Sequence, residues 1–281
     1  MKTIYFDNNA TTMVAPEVLE EMLPYFSQYY GNPSSMHRFG GQVAKKLHEA
    51  REKTALLIGA EPDEIVFTSC GTESDNTAIM SALDVNPGKR HIVTTRVEHP
   101  AVKALCEHLS EKGYVITTID VDSDGNLDMD QYEKSLTKDT AVVSIMWANN
   151  ETGVIFPVEK AAQLAQEKGI IFHTDAVQTV GRIPIDVKEL TVDLLSLSAH
   201  KFYGPKGVGA LYVRNGVQIN PLIYGGGQES KQRSGTENIP GIVGMGKAAE
   251  LAEKYMPQRL EHLQLLGQTL FNRIMNEIPE A

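Results

Sequence analysis

Lys201 stands at the end of an apolar run among small polar groups, in the order Ser196, Leu197, Ser198, Ala199, His200, Lys201. An amine there can form a Schiff base with a carbonyl compound if its site is shaped and partly dry, because a free lysine has a pKa near ~10.4 and is a poor nucleophile at neutral pH. Ser198 and His200 are donors suited to a phosphate beside it. Asp175 closes a second apolar run, Ile170 to Thr174. A carboxylate in that place can pair with a pyridinium nitrogen and so let the ring withdraw electrons, or it can cap a helix. Gln178, a turn further on, can donate to a ring hydroxyl or stay solvated. His99 directly precedes Pro100, where an imidazole can stack on a flat group and shuttle protons, or serve only as a cap. Asn149 and Asn150 follow Trp147 in a turn-like stretch, with amides for a ligand or for the loop itself. After Phe67 come Thr68, Ser69, Cys70, Gly71 and Thr72, with a helix expected from Glu73. A helix start offers unpaired amides and the positive end of a dipole, which suits a phosphate. Thr72 with Asp75 equally spells a capping box that needs no ligand.

The elements that must position these groups are legible as a pattern. Short apolar runs at 64–68, 91–97, 114–119, 141–147, 170–174 and 193–198 alternate with helical stretches at 73–83, 100–112 and 158–168. That alternation is the signature of an α/β fold with a mostly parallel sheet and helices on both faces. Pro100 and Pro157 suit helix starts, and Lys168 with Gly169 suits a helix end. Two amphipathic helices are expected at 16–28 and 41–59, separated by the turn-rich Gly31 to Ser35, and a long helix at 241–278. The glycines at 204, 207 and 209, with Pro205, let the backbone approach a ligand or make a turn. In open α/β sheets ligands bind beyond the carboxyl ends of the strands, and the groups named above fall at five such ends.

A chain of 281 residues can bury one large core. Its formal charge of −10 argues against nucleic acid or an anionic membrane as the main partner, since both reward clustered lysine and arginine. No run approaches the ~20 apolar residues of a membrane helix, and the first residues lack a secretory apolar stretch, so a cytoplasmic protein is expected. Only Cys70 and Cys106 occur. They are too few for a disulfide framework and lack the spacing of a zinc site, so no metal is expected.

The chemistry-bearing residues run in the order phosphate turn, histidine, amide, aspartate, glutamine, lysine. With that order, the chain resembles the cysteine desulfurases of the NifS and IscS type, pyridoxal-phosphate enzymes of aminotransferase class V. The resemblance runs from Tyr5 to about Gly246 and rests on specific words. These are Asp7 to Thr12, Gly31 to Ser35, Phe67 to Asn76, Val97 to Pro100, Asn149 to Gly153, His173 to Gln178, Ser198 to Lys201 and Arg233 to Thr236. Cys70 before Gly71, and Trp147 before the asparagine pair, look closest to the NifS branch.

The resemblance implies the fold type I of pyridoxal-phosphate transferases. Residues 1–15 would be an N-terminal segment, 16–245 the cofactor-binding large domain, and 246–281 a long helix leading to a truncated small domain. Lys201 would carry pyridoxal 5'-phosphate and move the substrate Cα proton. Asp175 would bind the ring nitrogen and Gln178 the ring oxygen. His99 would stack on the ring, while Gly71, Thr72, Ser198 and His200 would hold the phosphate. Asn150 would lie beside cofactor and substrate carboxylate, and Thr236 would reach the phosphate of the other subunit of a homodimer. The family reaction takes sulfur from L-cysteine, leaves L-alanine and forms a persulfide on an enzyme cysteine for iron–sulfur scaffolds or other acceptors. The mobile-loop cysteine and the carboxylate-binding arginine of the family belong to its C-terminal domain and are not among these residues. Cys70 is expected to be fixed in the phosphate turn, and Cys106 lies mid-helix at a core-like position. The chain is therefore expected to be inactive in sulfur transfer by itself, as a gene fragment or one part of a split gene would be. Selenocysteine lyase and a cofactor-binding domain without turnover are the alternatives. A dinucleotide enzyme ranks behind them, for want of a Gly-x-Gly-x-x-Gly turn and a Walker A sequence.

Overall fold

A computed structural model describes residues 4–279. Seven strands form one sheet: β1 (Ile65–Thr68), β2 (His91–Thr95), β3 (Val115–Ile119), β4 (Thr140–Ser144), β5 (Ile171–Asp175), β6 (Leu194–Ser198) and β7 (Gly209–Val213). Their order across the sheet is β1-β7-β6-β5-β4-β2-β3. All pairings are parallel except those of β7, which runs against both β1 and β6. Every residue of β1, β2, β4, β6 and β7 is buried, whereas the edge strand β3 is mostly not. Strands covered on both faces read as continuous apolar runs rather than alternations, which is why β1, β2, β4, β5 and β6 stood out in the sequence.

The helices are α1 (Pro16–Met22), α2 (Pro24–Ser27), α3 (Arg38–Leu56), α4 (Gly71–Asp84), α5 (Pro100–Glu111), α6 (Met129–Ser135), α7 (Val158–Glu167) and α8 (Ile239–Glu277). The single helix expected over 16–28 is two, because Pro24 has no N–H to continue the first one. α3 begins three residues before expectation, at Arg38, where His37 Nδ1 accepts from Gly40 N at 3.1 Å. Two elements went unread. β7 hides behind Gly207 and Gly209, whose turn-like composition masks the run Ala210 to Val213. α6 is short, but its start carries a legible signal, since Asp128 Oδ1 accepts from Gln131 N at 2.9 Å.

The largest apolar cluster lies between the sheet and α1, α3, α7 and the first half of α8, with Phe172, Leu195, Phe202 and Met245 at most 2% exposed. α8 packs through Met256, and beyond Leu260 its apolar side chains are exposed. This body holds the carboxyl ends of β1, β4, β5 and β6 and the amino end of β7 along one edge. Gly209 pairs there with both Thr68 and Ser198.

Candidate active site

At that edge lies a cavity of about 190 Å³. Gly71, Thr72, His99, Asn150, Asp175, Gln178, Ser198, His200 and Lys201 all line it, so the structure brings together every residue given a cofactor role except Thr236, while Asn149 serves the loop, its Oδ1 accepting from Glu151 N and Thr152 N at 2.9 Å. Thr236 is exposed and lines a separate hollow beside Tyr29, Asn32 and Pro33. A neighbouring cavity of about 210 Å³ also touches Lys201, between Asn8, Arg182, Tyr203 and α8, but it has neither the helix start nor the carboxylates.

Lys201 closes the turn that follows β6 and is half-buried. Its Nζ donates to Asn9 O and to Ala10 O, the latter at 3.0 Å, so the N-terminal segment covers it. That segment is fastened by Thr12, whose N and Oγ1 both donate to His200 O at 2.9 Å. Burial and the Arg182 guanidinium push the Lys201 amine below its ordinary pKa, against the pull of Asp175 and Asp7. A lowered ammonium pKa raises the share of free amine, which a nucleophile or proton acceptor requires. His200 Nδ1 meets Thr11 Oγ1 at 3.1 Å, and burial, with Lys201 and Lys206 nearby, pushes its pKa down to about 4. It is neutral at pH 7.

The floor is acidic and dry. Asp175 is 6% exposed, and its Oδ1 accepts from Val177 N at 2.9 Å. Burial raises its pKa despite that bond and the nearby His99 and Lys201. Asp75 on α4 is 1% exposed, and burial and the charge of Asp175 raise it well above the ordinary range. His173 lies behind, with Nδ1 2.9 Å from Ser144 Oγ and Nε2 2.9 Å from Ser196 Oγ. Burial pushes its pKa to about 3, so at 3.6 Å from Asp75 it is a neutral neighbour rather than a counter-ion. Glu98 accepts from Thr95 Oγ1 at 2.7 Å and from Met146 N at 2.9 Å, yet burial still raises it to about 8.

The helix start departs from its sequence reading in two respects. α4 opens at Gly71 rather than Glu73, and its N-cap, Cys70, makes no side-chain capping bond. The capping box of Thr72 with Asp75 does not form, because Asp75 is turned inward to the floor. Glu73 instead reaches back to accept from Ser69 N at 2.9 Å. A Cβ on Gly71 would stand 2.8 Å from Val177 Cγ2, so the closeness of α4 to the β5 turn requires glycine there. Ser198 Oγ and Gln178 Oε1 are buried without a partner, while Gln178 Nε2 donates to Asn9 O at 3.0 Å. Buried polar atoms without partners are costly, and both belong to residues lining this cavity.

His99 does cap α5, its Nδ1 accepting from Ala101 N at 3.1 Å, and it lines the cavity as well. Asn150 Nδ2 donates to Glu151 Oε1 at 2.7 Å. Cys70 lines the cavity, whereas Cys106 is buried in α5 and its thiol is pushed up to about 12 by burial and then by Glu98 and Glu107. Sequence reasoning missed Asn9, Glu98 and Arg182. Only Asn9 and Glu98 carried a signal, inside the matched words Asp7 to Thr12 and Val97 to Pro100.

Comparison with known proteins agrees with this geometry. The family model for aminotransferase class-V matches residues 4–280. A cysteine desulfurase of Nostoc sp. is 54% identical over 281 residues, covering all of this chain and 70% of that protein. A solved NifS-like protein superposes with a TM-score of 0.95 at 46% identity, over 98% of this chain and 76% of that one. A solved structure of SspA in complex with cysteine gives 0.85 at 42% identity, over 88% and 72% of the two chains.

Proposed function

The chain belongs to the class V aminotransferase family, and on that premise we propose that it is a pyridoxal-phosphate-dependent cysteine desulfurase of the NifS type, acting on L-cysteine to release L-alanine. The observation that carries this reading is the single cavity where a half-buried lysine, a buried aspartate and an uncapped helix start converge.

The residues present fit the cofactor. The partnerless Ser198 Oγ and the open amides of α4 at Gly71 and Thr72 suit a phosphate, with His200 beside them. Gln178 offers side-chain atoms to a ring oxygen. No lysine or arginine lies within salt-bridge distance of Asp175 among the described residues, and a protonated ring nitrogen would supply the missing counter-charge. His99 is available to stack on the ring.

When bound, pyridoxal phosphate supplies an electron sink for charge developing at a substrate carbon. Asp175 would hold a proton on the ring nitrogen, and its dry surroundings would strengthen that bond. Lys201 would hold the cofactor, and its amine, lowered by burial and Arg182, would take the proton from substrate Cα once the substrate's own amine has replaced it on the cofactor. Asn9 and Ala10 aim the amine through their carbonyls. Asn150 orients the substrate carboxylate.

Neither cysteine suits a sulfur carrier. Cys106 is buried and remains protonated, and Cys70 is held against Gly209, where a Cβ would stand 2.8 Å from its backbone carbon. We therefore assign the acceptor role to a thiol other than these two, and beyond it to an iron–sulfur scaffold in the cytoplasm. The exposed Thr236 suits a homodimer in which it faces the partner's phosphate site. No helix among the described residues is long and apolar enough to cross a membrane.

The test supplies L-cysteine, pyridoxal phosphate and dithiothreitol as external thiol. Alanine and sulfide are expected in equal amounts, together with a bound-cofactor absorbance band that Lys201→Ala abolishes. Binding of the cofactor without alanine release would refute the desulfurase reading, and absence of the band in the wild-type chain would refute the site assignment.

A further inference from the structure

Glu73 is the third residue of α4 and closes the turn before the helix by accepting from Ser69 N at 2.9 Å. A carboxylate in the first helical turn is favoured by the helix dipole, but beside an anion-binding turn it competes with the ligand for the same positive end. Arg233 faces it with a two-pronged bond, Nε to Oε1 at 2.9 Å and Nη2 to Oε2 at 3.3 Å. The two side chains are only 21% and 10% exposed, so the charges cancel locally rather than through water. The bonds from Arg233 and Ser69 outweigh burial and hold Glu73 below its ordinary pKa.

Arg233 is delivered by a strained support. Glu229, Ser230 and Lys231 all have positive φ, at 44°, 54° and 69°, a left-handed run that non-glycine residues adopt only when the surroundings enforce it. Glu229 enforces it by accepting from Arg51 at 2.6 and 2.8 Å and from Phe67 N at 2.8 Å. One loop thus grips both sides of the turn, Glu229 on β1 before it and Arg233 on α4 after it. The buried, partnerless Ser198 Oγ lines the cavity against the same turn and marks it independently as a place for a ligand.

We infer that Arg233 is a positioning residue for the cofactor phosphate: it neutralises Glu73, so that Glu73 can hold the Ser69 turn without repelling the phosphate bound there. The inference rests on the pyridoxal-phosphate reading of the cavity.

The test compares the affinities of the cofactor-free chain for pyridoxal phosphate and for pyridoxal, read by the fluorescence of its single tryptophan, Trp147, whose backbone N–H donates to Asp175 O. The ratio of the pyridoxal dissociation constant to that of pyridoxal phosphate isolates the phosphate. In Arg233→Leu the ratio falls by about tenfold or more, equivalent to about 1.4 kcal/mol, while the pyridoxal constant stays within about twofold of wild type. The double variant Glu73→Gln/Arg233→Leu regains part of the ratio, because the repelling carboxylate is gone. An unchanged ratio in Arg233→Leu, or a double variant that shows only the sum of the single losses, overturns the inference. A merely structural role would weaken both ligands alike. Should Arg233→Leu not fold, Arg233→Gln decides, since it can still donate a hydrogen bond to Glu73 but loses the charge: its ratio falls severalfold if the inference holds and equals wild type if it does not. Failure of the wild-type chain to bind pyridoxal phosphate would strike the cofactor reading itself, an outcome distinct from these.

Discussion

Replacing Glu98 with Gln should make the cofactor-free chain more stable in mild alkali and leave it almost unchanged in mild acid. Glu98 is 4% exposed and accepts from Thr95 and Met146, but it has no cation beside it, and burial raises its carboxyl from 4.5 to about 8. Between those values the folded chain keeps a proton that the unfolded chain releases, so folding stability falls as pH rises through the interval. At about 1.36 kcal/mol per pH unit, the interval from 4.5 to about 8 corresponds to on the order of 5 kcal/mol. A window from pH 5 to pH 8 samples about 3.5 kcal/mol of it, because the curve bends near each pKa. Glutamine has nearly the same shape, presents a carbonyl to the same two donors and does not titrate. Urea unfolding of both chains at several pH values supplies the difference curve, in which the parallel contributions of Asp75 and Asp175 largely cancel. The wild-type chain should lose ground to Glu98→Gln steadily from pH 5 to 8. A flat difference, or one that favours the wild type as pH rises, would show that Glu98 is charged in the fold and would refute the claim that burial keeps it protonated.

Three further outcomes can be read with the same unfolding assay and a cofactor titration. Gly209→Ala would put a Cβ 2.8 Å from the Cys70 backbone carbon and 2.8 Å from Leu197 O, both backbone atoms, and should cost about 1–3 kcal/mol and weaken cofactor binding together. Gly41→Ala, in α3 with nothing within 4 Å of the new carbon, should be neutral or stabilising by up to about 1 kcal/mol, and any loss comparable to that of Gly209→Ala would contradict the crowding argument. Glu229→Gln strands Arg51 in a pair whose side chains are 14% and 3% exposed, so a loss of about 3–5 kcal/mol is expected, and a loss below about 1 kcal/mol would mean that the left-handed run is held by something else.

The strands were legible because a sheet covered on both faces leaves apolar runs bounded by polar strand ends, and the candidate site lies at those ends. β7 was not, since the glycine that fits it between Thr68 and Ser198 is also the commonest mark of a turn. Asp75 shows a deeper limit. Its spacing from Thr72 satisfies a capping box, and only the packing of α4 against β5 and β6 turns it to the floor, a tertiary fact that local spacing cannot carry. Thr72, Asp175 and Lys201 were found as chemistry, whereas Asn9 and Arg182 act by contact across a long stretch of chain. Asn9 reaches Gln178 and Arg182 over separations of 169 and 173 residues, and no periodicity reports such pairs.

The same cavity gathers several energetically unfavourable groups. Asp75 and Asp175 are forced towards neutrality, the Lys201 ammonium is destabilised, and Ser198 Oγ and Gln178 Oε1 go without partners. Each lowers the stability of the empty chain, and each is relieved by a ligand that brings an anion to the helix start, a cation to Asp175 and a carbonyl to Lys201. Stability and binding are therefore linked. Pyridoxal phosphate at 100 times its dissociation constant should add about 2.7 kcal/mol to unfolding, as for any ligand bound by the native state alone. What distinguishes this site is the source of that affinity. Lys201→Ala should raise the stability of the empty chain, because it removes a disfavoured half-buried ammonium, while abolishing most of the stabilisation by cofactor. A variant that is less stable when empty and still stabilised by pyridoxal phosphate would mean that Lys201 is a packing residue, and that the affinity arises elsewhere in the cavity.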